Sequence, residues 1–437
     1  MSKFGQPYWW DGQPTPPKLN ELPERCDLLI IGAGYTGLSA AVTAASNGVD
    51  VCVVDAEHPG FGASSRNGGM CGAHPRLSLS AMSENFGADT ARGLFNEAGE
   101  AFSFFEGIQK THKIKCDYQK TGRIQLAWTR ADFEAQQQMA DEMNRDTAFK
   151  VDVVGRENLP KHLNTNHYFG GLFYKDHGAL QPKKFVDGLL RAALRKGAKV
   201  VGHTPVQRLV RSQTGYIAET NAGPVRAEKV LVATNGYSKG AGAMRWLSRR
   251  VFPLPSYLVA TEPLSKSMID KLAPGRRMMV ETRARHSYWR VSPDGKRIIW
   301  GGRAAIRQTG MDYAAKRLKT TMTEIWPELR DVKLTHAWKG NTGYTFSNAP
   351  HVGRIDGIHY AAGYCGGGVV IAPYLGMKAA YQAMGDKRGE TAYSNTALTT
   401  RPYHLGGFPW FLEPADRWYN WVVDGQQNRQ AAKDRGI

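Results

Sequence analysis

Gly32, Gly34 and Gly37 stand at the spacing G-x-G-x-x-G, and Asp55 closes the apolar run that follows. Each glycine answers a different need: Gly32 a tight turn, Gly34 close backbone approach to a pyrophosphate, Gly37 tight packing of helix on strand. An anion placed there meets free N–H groups and the positive end of a helix dipole. Tyr35 and Thr36 lie in that first turn and are expected contacts. The Asp55 carboxylate is placed to accept hydrogen bonds from the ribose of an ADP moiety. The chemistry of this pattern is dinucleotide binding.

A second loop follows the acid, Pro59-Gly-Phe-Gly-Ala-Ser-Ser-Arg-Asn-Gly-Gly69. Ala63, Ser64, Ser65, Arg66, Asn67 and Gly68 offer small residues and donors for a long anionic cofactor. FAD lying extended across a sheet fits that supply. Further contacts are expected where strands end, at Val206 and at Thr234-Asn-Gly236. Gly366-Gly-Gly368 and Val369 open a helix after a strand, so their N–H groups can face a flavin's pyrimidine edge. A second G-x-G-x-x-G unit does not occur, which argues against an NADH site, so electrons leave to oxygen or to a carrier.

These residues need elements to hold them. Leu28–Ile31 reads as a buried parallel strand. Leu38, Ala41, Val42 and Ala45 then repeat at helical spacing as far as Asn47-Gly48, and Val49–Val54 is a second strand. Strands are also expected near 122–128, 199–201, 206–210, 229–232, 251–260, 287–291, 297–300 and 358–362, and helices at 185–196 and 368–383. The length of 437 residues favours two domains. The fold class expected is α/β: a Rossmann-like FAD-binding domain (parallel sheet with helices) plus a β-rich α+β substrate domain. Residues 26–80, 151–247 and 331–395 are assigned to the first, and 81–150 and 248–330 to the second. Residues 1–25, with Pro14, Pro16, Pro17 and Pro23, read as an arm over the surface, anchored by Tyr8, Trp9 and Trp10. The tail, 396–437, is expected to pack partly through Trp410, Trp418 and Trp421.

Apolar residues make up 42% and charged residues 22%, ordinary values for a globular chain. No apolar run reaches the roughly 18 residues of a membrane helix, and five scattered cysteines without C-x-x-C suit a reducing cytoplasm. The net charge of +18 is uneven: residues 241–325 hold seventeen Lys or Arg against six acids. Such a stretch attracts an anionic substrate or nucleic acid, but no aromatic-interleaved basic motif or zinc-finger spacing supports nucleic acid, and metal ligation has no pattern.

Four segments in order give the chain a family resemblance. They are Gly32–Gly37 with Asp55, Gly62-Ala-Ser-Ser-Arg-Asn-Gly-Gly69, Ala337-Trp-Lys-Gly340 with Pro350-His-Val-Gly353, and Gly363-Tyr-Cys-Gly-Gly-Gly368. The sequence resembles the D-amino-acid-oxidase-like superfamily of FAD oxidoreductases over residues 8–395, and is most similar to its gamma-glutamylputrescine oxidase branch. Gly340 joins the expected cofactor contacts on that ground. The resemblance implies oxidation of a C–N bond by hydride transfer to flavin N5, then imine hydrolysis. It implies no particular catalytic base, since the amine need only arrive deprotonated.

Departures from the family carry information too. Thr342 and Asn67 stand where relatives attach FAD covalently through cysteine or histidine, so non-covalent FAD is expected. Val370 stands where sarcosine oxidases hold the substrate carboxylate with lysine. That favours a longer amine whose distal carboxylate meets the basic stretch, with Arg285, Arg290 and Arg303 as candidates. Tyr257, Trp338, Tyr344 and Tyr364 are expected around the flavin. The alternatives are a sarcosine-type N-methyl amino acid oxidase or dehydrogenase, an FAD enzyme acting on a modified tRNA base, and a flavin-binding protein without turnover.

Overall fold

The computed structural model describes residues 2–238, 242–404 and 406–436. Ala241, where the basic stretch begins, lies outside them.

Two sheets organise the chain. In the first, Arg25–Ile31 lies between Gly223–Val232 and Val51–Val54, all parallel, and Lys199–Val201 extends the row beyond Val51–Val54. Both neighbours of Arg25–Ile31 contribute buried apolar runs, as a sheet covered on both faces requires. Gly223–Val232 changes partner along its length. Its first half closes an antiparallel hairpin with Gly215–Thr220, and its end pairs in parallel with Ile358–Ala362. The helices Tyr35–Ser46, Pro182–Arg195 and Gly368–Met384 share one apolar core against this sheet.

The second sheet has nine strands, ordered Lys3–Phe4, Leu334–Thr345, Val251–Thr261, Ile298–Gly302, Ser287–Val291, Met278–Glu281, Arg123–Leu126, Gly170–Tyr174, Asp152–Gly155. One face packs on the helix Met311–Ile325 through Trp289, Trp300 and Trp326. The other face carries Leu258, Ile299 and Trp338 toward the first sheet.

Sheet membership departs from the sequence-based division. Asp152–Gly155 and Gly170–Tyr174, read with the FAD-binding half, complete the nine-stranded sheet, and so does Leu334–Thr345. The arm runs over the surface, as expected, and its aromatic residues anchor it. Lys3–Phe4 adds a parallel edge to Leu334–Thr345, and Trp9 is buried against Trp338. The tail reverses the expectation for its tryptophans: Trp410, Trp418 and Trp421 are exposed. Its acids make the attachment, with Asp416 and Asp424 pairing with Arg285 and Ala431 buried in the second core. A desolvated arginine gains more from two carboxylates than an indole gains from a polar surface.

His351, at the start of the strand His351–Ile355, has no solvent exposure. Burial pushes its imidazole down to about 4, against a hydrogen bond with the Thr396 carbonyl that acts the other way. The folded pKa therefore lies below the unfolded value near 6.5, and the unfolded chain binds the proton first. Stability should fall between about pH 6.5 and pH 4, by up to about 3 kcal/mol from this residue. Urea unfolding at pH 7 and pH 4.5 checks the slope, which His351→Gln should flatten; an unchanged slope in that variant would assign the acid sensitivity elsewhere.

Candidate active site

The two sheets enclose two joined cavities. A groove of about 480 Å³ runs over the carboxyl ends of the parallel strands, where ligands bind in such sheets. Gly32 adopts φ +107° there, and a Cβ at this position would sit 2.9 Å from the Ala233 carbonyl oxygen. A Cβ on Gly34 would lie 2.9 Å from Ser64 Oγ, which accepts the Tyr35 N–H at 3.0 Å. Asp55 accepts the Ala33 N–H at 2.7 Å on one oxygen and the Glu57 N–H at 3.0 Å on the other. Each oxygen keeps a lone pair for a further donor. Burial raises the Asp55 carboxyl, while these two backbone donors oppose that rise.

Two helices begin at this groove, Tyr35–Ser46 and Gly368–Met384, and neither has a side-chain N-cap. Uncapped helix N-termini in one cleft suit a ligand with a pyrophosphate and an electron-accepting ring, so the residues present fit FAD. Bound there, FAD supplies a two-electron acceptor. The groove is lined by Gly32, Gly34, Tyr35, Thr36, Asp55, Ala63, Ser64, Asn67, Val206, Thr234, Asn235, Gly366, Gly368 and Val369 from the sequence-based set. Tyr364 also lines it, with its hydroxyl 2.7 Å from Thr36 Oγ1.

The second cavity, about 560 Å³, opens between the groove and the nine-stranded sheet. Ala63, Asn67, Thr342, Gly366 and Val369 line both spaces. Arg66, Gly68, Gly340 and Gly367, expected at the cofactor, face this second chamber. Arg303 and Tyr344 are here, joined by Arg76. Arg303 Nη2 donates to Tyr344 Oη at 2.7 Å; Arg76 Nη1 donates to the same oxygen at 3.0 Å and to the Cys365 carbonyl at 2.8 Å. Among the described residues neither guanidinium has a carboxylate partner. Glu281 also lines the chamber, but it is occupied by Arg283, the Tyr168 hydroxyl and the Ser287 N–H. The chamber is therefore strongly cationic. Burial, then the Arg303 and Arg76 charges, holds the His286 imidazole well below the usual histidine range. It stands in the chamber as a neutral imidazole with little affinity for a proton.

Several expected contacts belong to neither space. Ser65 is buried and accepts Trp10 Nε1 at 3.0 Å, so it serves the arm. Gly37 packs on Gly32, and Gly236 on Gly343. Tyr257 is turned away, its hydroxyl accepting the Thr309 N–H at 2.9 Å. Trp338 Nε1 donates to the Arg66 carbonyl at 2.8 Å, beneath the loop. Arg290 holds the carbonyls of Gly69 and Leu180 at 3.1 and 2.7 Å, and Arg285 is spent on the tail acids. Val370 is fully buried in its helix, so its lack of charge leaves the chamber's cations unaffected.

Arg76, Arg123, His286 and Tyr288 line the chamber and were not anticipated. His286 and Tyr288 alternate with Ser287 and Trp289, so the two-residue period of the strand could have placed them on one face. Arg76 follows Pro75 in a loop and carries no periodic signal.

Asn67 is engaged on every side. Its Nδ2 donates to the Ala63 carbonyl at 2.9 Å and the Ser64 carbonyl at 3.1 Å, and its Oδ1 accepts the Gly69 N–H at 2.8 Å. With neither Asn67 nor Thr342 able to bond a flavin ring, acid precipitation should leave yellow FAD in the supernatant. Colour retained in the washed pellet would mean covalent attachment.

Known proteins resemble the chain along most of its length. The model of the family described as DAO, FAD dependent oxidoreductase, matches residues 27–382. A probable oxidoreductase OrdL of Rhizobium meliloti (strain 1021) is 30% identical over 363 residues, 83% of each chain. The gamma-glutamylputrescine oxidoreductase of Escherichia coli (strain K12) is 28% identical over 371 residues, 85% of this chain and 86% of that one. Among solved structures, glycine oxidase from Geobacillus kaustophilus superposes with a TM-score of 0.70 at 20% identity, covering 87% of this chain and all of that one, which speaks to fold. An α/β fold with FAD-type strand ends, and a family match across most of its length, lead to one assignment: this chain belongs to the DAO family of FAD-dependent oxidoreductases.

Proposed function

We propose that the protein oxidises the C–N bond of an amine that carries a carboxylate, the acid being held by Arg76 and Arg303. The observation that carries this reading is the pair of guanidiniums meeting on Tyr344 Oη beside Gly366, without an acid partner among the described residues. Guanidinium forks without a counter-charge suit a ligand carboxylate, and one such contact contributes about 1.5–3 kcal/mol.

The chamber volume favours a substrate longer than a simple amino acid, of the gamma-glutamylputrescine or omega-amino-acid kind. The nearness of the arginine pair to Gly366, which also lines the groove, supports a second reading: a short N-alkyl amino acid with its acid next to the reacting carbon. Anaerobic flavin reduction by an omega-carboxylated amine, its amide and sarcosine separates them. The first reading expects the acid to exceed the amide by tenfold to a hundredfold in kcat/KM. Best reduction by sarcosine supports the second, and equal rates for acid and amide would overturn both. Peroxide formed on admitting air reports whether oxygen accepts the electrons.

A further inference from the structure

Arg123 begins the strand Arg123–Leu126 and lines the chamber together with His74 and Arg76. Its Nη2 donates to His74 Nε2 at 2.7 Å, and its guanidinium carbon lies 4.5 Å over the Tyr174 ring. Its Nε is buried with no hydrogen-bond partner, and no carboxylate of the described residues forms an ion pair with it. Burial lowers its affinity for a proton, the Tyr174 hydroxyl acts against that, and the Arg76 charge adds a smaller lowering. His74 is held neutral by burial and then by Arg123, with smaller contributions from His177 and Arg76, so it offers no counter-charge. Arg123 is only half-buried, its guanidinium reaches the chamber wall beside a second cation, and an anion held there would supply the charge that no acid of the fold provides.

Resting on the reading of the chamber as an amine site, we propose that Arg123 and His74 form a second anion subsite, so that the preferred substrate is an amine bearing two carboxylates. One carboxylate sits on Arg76 and Arg303, beside Gly366. The other accepts from Arg123 at the base of the same chamber. Glu281 cannot compete, because Arg283 and two neutral donors already hold it. The structural alternative, Arg123 as a pillar over Tyr174, requires no ligand and gives no preference between acids.

The test uses the FAD-loaded protein and redox-inert probes: straight-chain dicarboxylic acids from malonate to adipate, each against the monocarboxylic acid of equal carbon number. Dissociation constants come from perturbation of the flavin's visible spectrum. One dicarboxylate should bind at least tenfold more tightly than its monocarboxylate, and Arg123→Gln should bring that ratio close to one. Arg303→Gln should weaken both acids. Equal binding of the paired acids at every length in the unaltered protein would overturn the proposal, and this comparison stands even if the variants fold poorly. Retention of the ratio in a folded Arg123→Gln protein would overturn it as well. Failure of the amine reading looks different: no carboxylated amine reduces the flavin, whatever the inert acids do.

Discussion

Gly37→Ala should yield a protein that holds no FAD and loses about 3 kcal/mol or more of stability. A Cβ at this position would lie 1.9 Å from the Gly32 carbonyl oxygen and 3.2 Å from Ile30 Cγ2. The first neighbour is backbone in the turn that shapes the groove, so no rotamer change relieves the clash. The helix Tyr35–Ser46 would have to lift from its strand, and its N-terminus would leave the pyrophosphate position. Gly376 makes the same demand from the opposite side, where a Cβ would stand 2.2 Å from the Thr36 carbonyl oxygen. Gly34 differs, because its obstacle is the movable Ser64 hydroxyl. A bulky residue at 34 should spare the fold and still exclude the cofactor. The control is Gly99, in the helix Ala88–Thr111, where a Cβ meets nothing within 4 Å. Gly99→Ala should keep FAD and add up to about 1 kcal/mol from helix propensity. Flavin content and urea midpoints decide; a yellow, stable Gly37→Ala protein would refute this account of the motif.

The second large effect concerns the arginine pair. Arg303→Met should lower kcat/KM for a carboxylated amine about tenfold to a hundredfold, and the Arg76→Met, Arg303→Met double variant by a further factor of similar size. The amide of the same substrate should lose far less, since its neutral carbonyl forms no ion pair with the guanidinium. Arg76 also donates to the Cys365 carbonyl, so its single variant should disturb the Gly366 turn. Arg303 donates to the Tyr344 hydroxyl alone among the described side-chain bonds, which makes it the cleaner probe. If acid and amide lose activity in equal proportion, the pair supports the fold and does not hold the substrate.

The glycine motif was legible because its requirements are local: a positive φ at Gly32 and contact distances at Gly37 follow from neighbouring chain. The chamber was not, because it is made by strands distant in sequence. Arg285, Arg290 and Arg303 look alike in a basic stretch. The register of Ser287–Val291 and the descent of the tail decide that one meets Asp416 and Asp424, one meets Gly69, and one is left for the chamber. Asp152–Gly155 and Gly170–Tyr174 carried the right strand pattern with no mark of which sheet would receive them. The exposed tail tryptophans misled for a related reason: residue type predicts average burial, while attachment here depends on where two aspartates found an arginine.

The long strand Gly223–Val232 lies beside Arg25–Ile31, and the Gly366 turn closes the groove that Gly32 opens. During synthesis, therefore, the glycine motif leaves the ribosome long before the partners that cover it. Loop closure of that size is slow relative to local helix formation, and apolar strands wait exposed meanwhile. Cofactor capture is thus a late event, requiring nearly the whole family-matched stretch. Limited FAD during expression would be felt as aggregation of nearly finished chains more than as accumulation of folded, colourless protein.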